Sequence, residues 1–481
     1  MLLLLVAGCE DTIDSSLTGT LSGRVLDKAE MMPLEGVRIS TNPYSEVTET
    51  DSNGVFVLED VKEGEYNVIA SMNGYKSESL TVNVNFEETT DVELVMAKSV
   101  AAGEALKFTD VFTPVDEEVL NQLMATFSWQ MEEDDSLSYD LILFESGNSG
   151  DPLVYENLTD TFKVVEGLRF STNYLWQVRA KSTNDDVYSE VRQFRTPSLP
   201  SNQIMFSEMT DEVLQLFVAD SLMEAPVQVS YNKHHSWNAR VNHQKTAIAF
   251  QSSRDVESRL YVMNMDGSGM RRLTDFQTGG YFHHKIEYDW APNGSHLIFT
   301  SYENLYRINA DGTGLEVIAT APDDKHFREV AYSPDGEDIY TIVLGNHVLD
   351  RRIFRMDGDG SNMSLLYEDP GHALAHLDVS PDRRSLLFSK DVSGYVSTTG
   401  RLLDARIFEL DIQEGTVEDL SQRKESGTND LQAVYSPNGG RIVFVNSLNT
   451  LTATPSLWMM DVSGDHRSRI RVGGQLPYWF E

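Results

Sequence analysis

From Leu17 to about Ala97, apolar residues fall at every second position in short runs: TLSGRVLD, GVRIS, GVFVLEDV and GEYNVIAS. Nothing in this stretch repeats at the 3.6-residue spacing of a helix. Pro33, Asn53-Gly54, Gly64 and Gly74 divide the runs, and Asp51-Ser52-Asn53-Gly54 ahead of Val55 and Phe56 reads as a hairpin turn, because Asn and Gly tolerate positive φ. About seven strands in so short a segment predict an antiparallel sandwich. The next stretch, about Gly103 to Pro197, is again all-β. Phe127 and Trp129 share one strand face, and Leu168, Thr172, Tyr174, Trp176, Val178 and Ala180 share another, with Phe194 to Thr196 closing the unit. A Trp among apolar neighbours is expected in a core rather than on a sugar platform. Pro197, Ser198 and Pro200 then make a stiff boundary.

Beyond that boundary the chain repeats itself. AYSPDGEDIYT at Ala331 has altered copies in DWAPNGSHLIFT at Asp289, DVSPDRRSLLFS at Asp378 and VYSPNGGRIVFV at Val434, with WNARVNHQKTAIAF at Trp237 a degenerate one. Each is followed by a second element: SRLYVMNMDGSG, ENLYRINADGTG, RRIFRMDGDGSN, ARIFELDIQEGT or SLWMMDVSGDHR. Two hairpins at a period of about 42 to 56 residues make the four strands of a propeller blade. LPYWFE at Leu476 starts a further unit, and NQIMFSE with VLQLFVAD, between Asn202 and Asp220, supplies what that unit lacks. Joined, they complete a sixth blade and leave no open sheet edge. The predicted fold is all-β: two small antiparallel β-sandwiches followed by a six-bladed β-propeller.

Three resemblances rest on these residues. Gly23, Val25, Asp27, Leu34, Gly36, Val37, Thr50, Asp51, Gly54, Phe56, Gly64, Tyr66, Gly74 and Tyr75 resemble the carboxypeptidase regulatory-like domain, a transthyretin-like sandwich that implies a spacer or binding stalk without a catalytic site. The Trp, Leu and Tyr positions of the second segment resemble a fibronectin type III domain. The W/Y-S-P-D/N-G turn and the L-Y/F-x-x-D-x-D-G-x-G element resemble the WD-like repeats of the TolB family. TolB has a small α/β domain ahead of its propeller where this chain has two sandwiches, so TolB's partners do not carry over. The expected organisation is a leader over residues 1–8, a tether over 9–16, sandwiches over 17–98 and 99–197, and the propeller over 198–481.

Charge and cysteine usage narrow the function. A formal net charge of -37, from 75 acids against 38 bases, would repel phosphate backbones and excludes nucleic acid as a partner. The single cysteine, Cys9, follows MLLLLVAG, and a lone Cys after an apolar run and two small residues resembles the bacterial lipobox. That resemblance implies a lipid anchor at Cys9 and a bacterial cell envelope, outer-membrane location, on either the periplasmic or the surface face.

Motifs for nucleophilic or zinc-protease chemistry are absent: the chain has no G-x-S-x-G and no H-E-x-x-H. RMDGDGSN at Arg355 places Asp357, Asp359, Ser361 and Glu368 at calcium-loop spacing, but Asn362 stands where such a loop needs Gly, so a repeat turn is expected. All 11 histidines lie in the propeller, and His235, His283, His284, His326, His372 and His376 sit just ahead of inner strands. Connections of that kind converge on one mouth of a propeller, where imidazoles can bind a divalent metal or an anion, with Lys285, Arg328, Glu287 and Asp430 nearby in sequence. Oligogalacturonate lyases, metal-dependent and seven-bladed, use a mouth of broadly this kind. The alternative is that these histidines hydrogen-bond strand ends. The leading expectation is a monomeric envelope lipoprotein whose propeller binds a protein or carbohydrate; the competing one is a polysaccharide lyase.

Overall fold

The computed structural model describes residues 17–480 except 43–44, 46, 73–74, 76–77, 99–106, 133–136, 146–151, 183–185, 201–202, 232, 256, 276–286, 323–324, 348, 396–401 and 451. All regular elements among the described residues are strands. The chain divides into two compact units, one holding most of two sandwiches and the other everything from Pro197 onward.

In the first sandwich, Val55–Lys62, Thr18–Asp27 and Thr89–Met96 form one sheet, and Thr48–Glu49, Arg38–Asn42, Gly64–Ser71 and Glu78–Val84 form the other. Alternation does what a period of two requires: Phe56, Leu58 and Val61 are buried while Val55 and Val57 face out. They meet Leu21, Val25, Val37, Ile39, Val68 and Leu94 in one core. At the predicted hairpin, Asp51 accepts the Asn53 and Val55 amides, each at 2.8 Å, and Gly54 takes a φ of 72°. The second sandwich sets Phe162–Glu166, Met124–Met131 and Phe108–Thr113 against a larger sheet centred on Ser138–Glu145 and Asn173–Lys181. Its Trp176 is fully buried and meets Phe127 edge-on at 5.0 Å.

The second unit contains six four-stranded antiparallel sheets. Five are contiguous in sequence, with inner strands Ser236–Val241, Tyr288–Trp290, His326–Tyr332, Ala373–Val379 and Thr428–Tyr435. The sixth is discontinuous: Gly474–Phe480 pairs antiparallel with Gln203–Thr210, which leads to Val213–Asp220 and Val227–Gln228. Each sheet is covered on both faces, and this explains the largely apolar second strands, such as LIFTS in His296–Ser301 and IYTIVL in Asp338–Leu344, buried throughout. Shared cores join consecutive sheets around the ring. One of these unites Ile204, Phe206 and Trp479 with Val443, Leu457 and Met459, and Arg471 forks onto Glu208 across the same junction. Gly474–Phe480 also packs on Ser236–Val241, so the β-propeller ring is closed.

The Gly-rich turns are structural. In RMDGDGSN, Asp357 accepts the Asn362 side-chain amide at 2.6 Å and Asp359 accepts the Ser361 amide at 2.9 Å. Gly464 occupies the matching turn at a φ of 82°, where a Cβ would stand 2.4 Å from the Leu420 carbonyl oxygen.

Candidate functional site

Five of the six inner strands of the ring share an irregularity. Register slips between Trp237 and Arg240, Phe327 and Glu329, Ala375 and Asp378, and Leu431 and Val434, and again opposite Leu476. Asn238, His376, Gln432 and Leu476 take φ values of 52°, 59°, 55° and 53° at these bulges. A bulge adds one residue and re-aims the side chains that follow it. Two places on stand Arg240, Asp378, Val434 and Tyr478. Asp289 and Ala331 hold the same repeat position in the other two sheets, each directly ahead of its aromatic, Trp290 or Tyr332.

These six residues, one from each sheet, line a cavity of about 360 Å³ where the sheets converge. We refer to it as the cup. The S-P turns form its rim, with Ser333, Pro334, Pro381, Ser436 and Pro437, and exposed His243 and Lys245 complete it. The aromatics beside it are packed between sheets: Trp290, Tyr332, Tyr435, Trp479 and Phe480 are each less than a tenth exposed. Trp290 donates its indole N–H to the Arg240 carbonyl at 2.9 Å, and the Tyr435 hydroxyl donates to Glu409 at 2.6 Å.

The cup's charges are unevenly matched. Asp289 accepts the Tyr332 amide of the next sheet at 2.9 Å and is paired with Arg240 at 3.2 Å. Burial opposes the Arg240 charge, but Asp289 and neighbouring groups outweigh it and hold its pKa up. Its guanidinium also lies 5.6 Å from the Tyr478 ring centre. Asp378 repeats the arrangement of Asp289, accepting the Tyr435 amide at 2.8 Å, without a cation within ion-pair distance among the described residues. Burial, acting against that amide and Arg240, raises its pKa to about 7.

The histidines singled out from the sequence are placed elsewhere. His326 opens the strand His326–Tyr332, and His235 and His372 precede theirs, so all three stand at the strand ends away from the S-P turns. Nδ1 of His235 accepts the Leu214 amide at 3.0 Å, and Nδ1 of His372 lies 2.9 Å from Asp369. His376 is a bulge residue within Ala373–Val379. His283 and His284, like Lys285 and Cys9, lie outside the described residues. Of the acids near them, Asp430 is fully buried and engaged by Arg467, Ser421 and Asn446, each within 2.7 Å. A zinc-type site takes three or more protein ligands at one point, and no group of three His, Cys, Asp or Glu among the described residues is so placed. Sequence reasoning missed the cup because it treated the S-P turns as punctuation.

Residues 21–106 match the CarboxypepD_reg-like domain. No curated protein shows significant similarity to the chain. Among solved structures, TolB from Acinetobacter baumannii is 16% identical and aligns over 64% of this chain and 79% of its own, with a TM-score of 0.46. A TolB described as putative, from Agrobacterium tumefaciens, is 16% identical over 58% of this chain and 99% of its own, with a TM-score of 0.42. An oligogalacturonate lyase in complex with manganese is 13% identical over 56% of this chain and 73% of its own, with a TM-score of 0.38.

Proposed function

We propose that this is a bacterial cell-envelope lipoprotein, anchored through Cys9, in which a regulatory-like and a fibronectin type III-like sandwich carry a six-bladed, TolB-like propeller that binds an envelope protein. The cup carries this reading: it is concave, formed by one residue from every sheet, and combines an ion pair, a second carboxylate and apolar walls, the usual make-up of a ligand pocket. A protein ligand is favoured over a carbohydrate because the cup's Trp290 and Trp479 are buried and offer no open face on which a sugar ring could stack.

The test uses the whole mature chain against arrays of envelope-protein peptides and of glycans, beside a His243→Trp variant that crowds the rim at an exposed position. Peptide binding that is lost in the variant is the expected result. Binding confined to glycans, or undiminished in the variant, would overturn the reading. Incorporation of labelled palmitate, abolished by Cys9→Ser, checks the anchor.

A further inference from the structure

Around the cup's ring of positions, the order is Tyr478, Arg240, Asp289, Ala331, Asp378 and Val434. In a closed cycle of six sheets, Arg240 and Asp378 are three sheets apart and therefore face each other across the axis. The two aspartates are structural equivalents. Each sits directly before the residue that ends its inner strand, and each accepts a backbone amide from the following sheet, Tyr332 for Asp289 and Tyr435 for Asp378. They differ in one respect: a guanidinium completes Asp289, and nothing cationic among the described residues completes Asp378.

We infer that Asp378 receives a cationic side chain of the bound polypeptide, the ammonium of a lysine or the guanidinium of an arginine, in the manner that Asp289 receives Arg240. This rests on the reading of the cup as the ligand site. The Asp289–Arg240 pair shows within the same molecule what the position accommodates, and the open cavity beside Asp378 supplies the space. Ala331 and Val434, which flank Asp378 in the ring, give an apolar passage suited to the methylene stem of such a side chain. Arg240, held by Asp289 on the far wall, repels a second cation from that side and leaves Asp378 as the favoured end. A charge-assisted hydrogen bond in a half-buried cup is stronger than one on an open surface, which makes the carboxylate a discriminating contact as well as an attractive one. With its pKa raised to about 7 by burial, Asp378 stands to gain from a ligand cation that would stabilise its charged form.

The experiment is calorimetric titration of the whole chain with four probes: a short alanine-glycine peptide carrying one central lysine, the same peptide with norleucine, free cadaverine, and calcium alone. The lysine peptide is expected to bind at least tenfold more tightly than the norleucine peptide. Asp378→Asn, which keeps an acceptor for the Tyr435 amide, should abolish that discrimination without lowering the melting temperature. Equal binding of the two peptides, or discrimination that survives in Asp378→Asn, would overturn the inference. So would calcium or free cadaverine binding as tightly as the lysine peptide, since the site would then serve a metal or a free diamine. His243→Trp separates the two levels of the argument. If both peptides bind the wild type alike and the variant weakens both, the cup stands and the cation fails. If lysine-peptide binding ignores the variant, the cup reading fails with it.

Discussion

Removing Pro477–Glu481 tests the ring closure on which the cup depends. The segment carries Trp479 and Phe480, 9% and 7% exposed, and the backbone groups that pair with Gln203, Ile204 and Met205. Truncating a buried aromatic to Ala costs about 3–5 kcal/mol. Loss of both is therefore worth about 6–10 kcal/mol, before the unpaired edge of Gln203–Thr210 is counted. The whole margin of a domain is about 5–15 kcal/mol. The truncated ring should have no cooperative transition, while the first sandwich, whose core draws on no ring residue, keeps its own. Trp479→Ala alone should leave a folded ring whose Tm falls by about 10 °C, given about 2–4 °C per kcal/mol at this size. Differential scanning calorimetry of the three proteins, with near-UV circular dichroism, reads both outcomes. A truncated chain that melts like the full one would refute the closure and the energetics together.

Other expectations follow from the same contacts. A carboxyl whose pKa is about 7 in the folded chain and about 4 unfolded binds its proton more tightly when folded, so its contribution weakens stability as pH rises from about 4 to about 7 and is level above that. Asp378→Asn should match the wild type near pH 4 and exceed it by up to a few kcal/mol at pH 8 in urea titrations; a constant difference across pH would count against this. A double-mutant cycle on Arg471 and Glu208, forked and largely buried at the junction of two sheets, should give a coupling of about 1–2 kcal/mol. The exposed Arg272–Asp275 pair should give less than about 1 kcal/mol in the same assay. Gly464→Ala should cost clearly more than Gly415→Ala, because both have positive φ but only the former meets a carbonyl; equal urea midpoints would contradict that.

The architecture was legible in the sequence because backbone periodicity is what a repeat preserves. The alternation in GVFVLEDV gave a sandwich strand, the copies of AYSPDGEDIYT gave the sheets, and the matching halves at Asn202–Asp220 and Leu476 gave the discontinuous one. The cup was not legible by the same means. Arg, Asp, Ala, Asp, Val and Tyr stand at one repeat position, and a search for what recurs discards a column in which chemistry varies. Read the other way, that column is the signal, since a position fixed by the fold but free in side chain is where a ring can carry its specificity. The histidine clustering was a real regularity of the strand entries, but it marked the end of the strands away from the S-P turns, and His376 stands at a bulge where Asn238, Gln432 and Leu476 stand in others. No sequence pattern announces a bulge whose residue need not be glycine.

The discontinuous sheet also orders events during folding. Gln203–Thr210 is made before any other strand of the ring and its partner Gly474–Phe480 after all of them. Five sheets can therefore form from contiguous chain, while the first keeps a bare hydrogen-bonding edge until Gly474–Phe480 reaches it. A chain cut ahead of Gly474 would hold a nearly complete ring with one sticky side, able to pair with the same edge on another chain.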